Sequence, residues 1–93
     1  MRTTEEQDEL EKAKAEQFIA ETPRMPGVED VRVELGEDHT GDPAMWLVFR
    51  LAPDLKFDRV SAREFNEYAG VIQTKILHSG LIRFPYTRVE RAA

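Results

Sequence analysis

Residues 44–51, AMWLVFRL, form the most apolar stretch of the chain, with seven of eight residues suited to burial. A strand in a small open sheet buries one face and wets the other, so its residues should alternate. Met45, Leu47, Phe49 and Leu51 make one apolar set, yet Ala44, Trp46 and Val48 share the opposite face with Arg50. The first set suits a face packed on helices, which leaves Trp46, Val48 and Arg50 pointing outward. Two apolar residues on a face that should be wet need an explanation.

The segment before it is simpler. Val28 to Leu35 alternates, with Val31, Val33 and Leu35 on one side and Asp30, Arg32 and Glu34 on the other, which is the pattern of a half-buried strand. GEDHTGDP, residues 36–43, is polar and closed by Gly41 and Pro43, as in a hairpin connection longer than the tightest types. A third strand is expected at 81–89, LIRFPYTRV, with Ile82, Phe84 and Tyr86 inward and Pro85 marking an edge, because proline cannot donate to a ladder.

Two helices complete the pattern. Residues 3–21 are helical by composition, with Thr3 or Thr4 as N-cap and Glu6 or Gln7 as its capping-box partner. Asp8 with Lys12 and Glu11 with Lys14 are spaced for ion pairs, and Ala15, Phe18 and Ile19 give a docking edge only near the end. The first turns are therefore expected to fray. Pro23 and Pro26-Gly27 end this helix. Residues 61–80 carry Ser61 and Glu64 as a capping box, Phe65, Tyr68, Ala69, Ile72 and Ile76 as an apolar stripe, and Gly80 as a left-handed stop.

The element order is α-β-β-α-β, an α+β protein with a charged N-terminal helix at 1–22 and a compact domain at 23–93. A right-handed crossover makes the third strand parallel to the second. The economical arrangement places it beside the first, giving a three-stranded antiparallel sheet of order 2-1-3 with both helices on one face. The segment 44–51 would then be an edge strand, able to pair with another chain.

Composition narrows the function. The chain has no cysteine, so neither disulfides nor thiolate metal sites support it. Its N-terminus lacks an apolar signal-peptide core, and its longest uninterrupted apolar run is Met45 to Phe49, which implies a soluble cytoplasmic protein without a membrane span. Residues 1–42 hold thirteen acids and five bases, a net of −8, whereas residues 43–93 hold eight bases and five acids, a net of +3. The acidic half argues against a nucleic-acid surface there. Arg83, Arg88 and Arg91 could meet phosphates, but Phe84 and Tyr86, the residues able to stack bases, are assigned to the core.

Asp38, His39 and Asp42 are the candidate metal ligands, on a spacing that matches neither an EF-hand nor a zinc motif and suits a solvated turn better. No nucleophile motif accompanies His39 or His78, so no catalytic residue and no cofactor is assigned. Trp46, Val48, Arg50 and Arg32 are the candidate partner-binding residues, since Trp and Arg are enriched among interface hot spots.

Two short motifs add a resemblance. Asp38-His39-Thr40-Gly41-Asp42-Pro43-Ala44 running into the apolar strand, and Arg83-Phe84-Pro85-Tyr86 in the last strand, resemble a group of small bacterial proteins with a D-x-x-G-D/E-P-A turn and a closing F-P strand. Members of that group resemble companions of HEPN-domain proteins, which implies an antitoxin-like or accessory role with a HEPN-type toxin as partner. The element order is also similar to the ferredoxin-like cytosolic domain of cation diffusion facilitators, a dimerising and metal-sensing module. The expectation is a non-catalytic interaction protein that binds a protein partner or itself as a homodimer. The alternative is a small metal- or ligand-responsive regulatory domain.

Overall fold

The computed structural model describes residues 4–92. The elements are α1 (Glu5–Glu21), β1 (Val28–Glu37), β2 (Pro43–Leu51), α2 (Arg59–Leu77) and β3 (Phe84–Arg91). The α+β class and the α-β-β-α-β order match the sequence reading; the sheet does not. Its order is β1-β2-β3, with β1 antiparallel and β3 parallel to β2. The expected antiparallel 2-1-3 sheet is therefore replaced by a mixed one, unlike a ferredoxin-like fragment.

The physical reason lies in β2 itself. Ala44, Met45, Leu47, Val48 and Phe49 are all fully buried and Leu51 nearly so. A strand apolar on both faces is best satisfied with neighbours on both sides, and placing β3 beside β2 provides them. The strand read as an edge is the central one.

Helix α2 packs the stripe Phe65, Tyr68, Ala69, Ile72 and Ile76 onto the inner face, where Phe49 meets Phe65 and Tyr68 edge-on at centroid distances of 5.1 and 5.8 Å. It begins two residues before the expected Ser61. Asp58 is its N-cap, accepting from the Ser61 N–H (2.9 Å) and hydroxyl (2.8 Å), so Ser61 supports the cap from within the helix. The Asp58 carboxyl is held below its ordinary range chiefly by the Ser61 backbone N–H.

Helix α1 is capped by Thr4, whose hydroxyl accepts from the Gln7 N–H at 3.1 Å; the alternative cap, Thr3, lies outside the described residues. Ala15 joins the core, with Phe18 and Ile19 against it, as expected. The first half is not left to solvent. Glu11 is fully buried and accepts from the backbone N–H of Arg83 (2.9 Å) and from the Gln7 side chain (2.9 Å). The Arg83 guanidinium, itself buried, bonds Asp8 (2.8 Å), the Ala44 carbonyl (3.0 Å) and the Gly36 carbonyl. Asp8 and Glu11, read as halves of surface ion pairs, instead clasp α1 to the opening of β3.

Strand β3 is turned over relative to expectation. Pro85 is its buried residue, whereas Phe84 is exposed and Tyr86 half-buried. Parallel partners share a face, so Phe84 and Tyr86, paired with Ala44 and Trp46, stand on the outer face, and Pro85, paired with Met45, lies on the inner one. β3 remains an edge, and its Pro85 carbonyl is capped by the Gln73 side chain at 2.7 Å.

Candidate functional site

The outer face of the sheet carries the residues that sequence reasoning singled out, in an order set by the register. Asp30, Arg50 and Glu90 form one row, Arg32, Val48 and Arg88 the next, Glu34, Trp46 and Tyr86 a third, and Gly36, Ala44 and Phe84 the last. Arg32, Trp46, Val48 and Arg50 thus share one face. They do not share one role.

At one end the face is an ion lattice. Arg32 on β1 pairs with Glu90 on β3 and with Glu34 (2.9 Å), while Arg88 on β3 pairs with Glu34 (3.3 Å). Two of these pairs span β2 from edge to edge, and Val48, between Arg32 and Arg88, is fully buried beneath them. That accounts for an apolar residue on a wet face: the aliphatic stems of the charged residues cover it. Arg50 meets Glu29 at 3.5 Å. The Arg32 bond holds the Glu90 carboxyl below its usual range, and Glu90 and Glu34 raise the Arg32 guanidinium.

At the hairpin end the face is aromatic. Trp46 and Tyr86 stack at 6.0 Å between centroids, and Phe84 lies 4.9 Å from Tyr86. The Arg88 guanidinium sits 5.5 Å from the Trp46 centroid, within cation–π range. Trp46 reaches across Gly36, where an added Cβ would meet its ring at 3.0 Å. The glycine thus lets the indole lie close to the sheet. Phe84 and Tyr86 complete a platform of which the sequence pattern shows only Trp46, because it places the other two inward.

The turn beside this platform is built by Asp38. Its carboxylate accepts from the Thr40 N–H (2.9 Å), the Thr40 hydroxyl (2.6 Å), the Asp42 N–H (3.1 Å) and the Tyr86 hydroxyl (3.1 Å). These bonds, the Thr40 hydroxyl foremost, lower its pKa to about 2, and the same carboxylate pushes the Tyr86 phenol up. Both Asp38 oxygens are engaged in the fold, and His39 and Asp42 are exposed. Among the described residues no group of three or more His, Asp or Glu side chains could hold a metal ion.

A pH dependence follows. A carboxyl whose folded pKa is depressed contributes stability that is complete above its unfolded pKa, near 3.8, and lost as pH falls through about 2. Asp38→Asn is expected to lessen the loss of stability across that window, measured as the urea midpoint against pH. An unchanged acid limb would mean that Asp38 does not hold the turn.

No helix among the described residues is long and apolar enough to cross a membrane. No family model, no curated protein and no solved structure matches this chain.

Proposed function

We propose that this chain is a non-catalytic interaction protein that uses the platform of Trp46, Tyr86 and Phe84 to bind a basic protein surface in the cytoplasm. The carrying observation is the aromatic run on the sheet face opposite α2, where Phe84 is 46 % exposed and Trp46 and Tyr86 are half-buried. The face and its turn carry four carboxylates, Asp30, Glu34, Asp38 and Glu90, against three guanidiniums, Arg32, Arg50 and Arg88, with Asp38 beside the platform, and the chain carries −5 overall. Such a field favours a cationic partner. An antitoxin-like role, with a HEPN-type ribonuclease as the basic partner, is the specific form that the motif resemblance suggests.

The outward aromatics could in principle stack bases, but Arg32, Arg50 and Arg88 already have carboxylate partners, and a polyanion would have to displace them. Trp46 is the one tryptophan, so its fluorescence reports on the platform. Titration with a HEPN-domain protein from the same cell is expected to shift that emission, and single-stranded RNA to leave it unchanged. Phe84→Ala is expected to weaken the complex by about 2 kcal/mol, roughly thirtyfold, without altering the melting temperature. Equal affinity for the parent chain, Phe84→Ala and Trp46→Ala would place the interface elsewhere.

A further inference from the structure

The two edges of the sheet are treated differently. On β3, Pro85 offers no donor and Gln73 caps its carbonyl, so this edge is closed at its start. β1 is ten residues long and contains no proline; Arg24, donating to the Glu29 carbonyl at 2.6 Å, covers it at one end. A long strand edge presents a row of backbone donors and acceptors that another strand can use.

The phase of the β1–β2 ladder shows which groups these are. The Asp38 N–H donates to the Asp42 carbonyl at 2.9 Å, and one step inward Pro43, which has no N–H, stands opposite Glu37. Hydrogen-bonded and non-hydrogen-bonded pairs alternate along an antiparallel ladder. The even-numbered residues therefore bond β2, and the N–H and C=O groups of Val31, Val33 and Leu35 point to the free edge.

We infer that β1 pairs antiparallel with β1 of a second copy about a two-fold axis at Val33, joining two three-stranded sheets into one of six strands. In this register Val33 meets its own copy, Val31 lies opposite Leu35 of the partner subunit, and Arg32 lies opposite Glu34 of the partner subunit. Symmetry repeats each pair. The Arg32–Glu34 pairs fall at non-hydrogen-bonded positions, where side chains approach most closely, so each residue, already paired within its own chain, meets a further opposite charge without giving up the one it has. Val31 and Leu35, half-buried in the single chain, gain apolar neighbours. The adjacent groove lined by Ile19, Ala20 and Val31 would be covered by the same approach. Glu29 and Glu37 would oppose each other at the ends, but the bulge between Val28 and Asp30 turns that end out of the ladder.

The test is the solution mass of the full chain across concentrations, by size exclusion with light scattering, followed by charge exchange. The parent chain is expected to show a concentration-dependent dimer, since an edge pairing lies toward the small end of stable interfaces. Arg32→Glu sets Glu against Glu34 of the partner subunit, and Glu34→Arg sets Arg against the partner's Arg32. Each variant alone is expected to raise the dissociation constant at least tenfold. Mixed one to one, the two variants restore opposite charges at every crossing and are expected to form a heterodimer, which mere loss of stability in either chain would not produce. Hydrogen exchange at the Val31, Val33 and Leu35 amides is expected to slow as concentration rises. A parent chain that stays monomeric at millimolar concentration overturns the inference, as does a dimer indifferent to both substitutions and to their mixing.

Discussion

Arg83→Met is expected to lower the unfolding free energy by about 3 kcal/mol, the upper value for losing hydrogen bonds to a charged group, because a buried guanidinium loses its bonds to half-buried Asp8 and to two carbonyls. Methionine retains much of the length of the side chain but removes the cation from a site that holds Glu11 at zero exposure and joins Asp8, Gly36 and Ala44. Glu11 still accepts from the residue 83 backbone, so the loss falls on the guanidinium's own bonds. Against a total of about 5–15 kcal/mol for a domain, the loss is large. Urea unfolding measures it as a lower midpoint at an unchanged m-value. Arg83→Lys is expected to recover only part of the loss, because a single ammonium cannot reproduce the planar fork that meets two carbonyls and a carboxylate. A midpoint for Arg83→Met close to that of the parent would mean that the clasp contributes nothing net.

Phe49→Ala is expected to cost about 3–5 kcal/mol, in the range for truncating a buried aromatic. Phe49 is fully buried at the centre of β2 and touches Phe65 and Tyr68 of α2, so its loss leaves a cavity between the sheet and its main helix. Val48→Ala, one residue away and equally buried, is the informative contrast. Only two carbons are lost and the roof is made of movable ion pairs, so a smaller loss of roughly 1.5 kcal/mol is expected, at about 0.8 kcal/mol per buried carbon. Equal losses at the two positions would mean that the outer face is packed as rigidly as the inner one.

Helix α2 and strand β1 are legible because periodicity carries them, and α1 because its composition and cap do. The α2 stripe from Phe65 to Ile76 and the alternation of Val31, Val33 and Leu35 each match one element type, and both landed on the inner face. Sheet order was harder. A crossover that makes β3 parallel to β2 is compatible with either neighbour for β3, and what separates them is the second apolar face of β2. That face is the signature of a strand flanked on both sides, and hydrophobicity alone does not separate it from a surface for partners.

The facing of β3 was lost for a related reason. Ile82, Phe84 and Tyr86 look like a core set, yet Pro85 is the buried residue, Val89 shares its face but stays exposed, and the aromatics line the outer face beside Trp46. Hydrophobicity ranks residues for burial but does not say which of two alternating sets wins. Glu11 and Arg83 gave no periodic signal at all. The indirect sign was a helix whose first half contains only Leu10 as a large apolar residue, itself 57 % exposed. Such a helix needs a polar anchor or none.

The Asp8–Glu11–Arg83 clasp joins positions 72 and 75 residues apart in the chain. Contacts of such separation close a long loop, whereas the β1–β2 hairpin closes a short one, so the hairpin is expected to form early and the clasp late. Interactions made after the rate-limiting step leave the folding rate almost unchanged and act on the reverse rate. The clasp is therefore expected to work as a latch in time: without it the chain would still reach its native state at nearly the same speed, but would leave it far sooner.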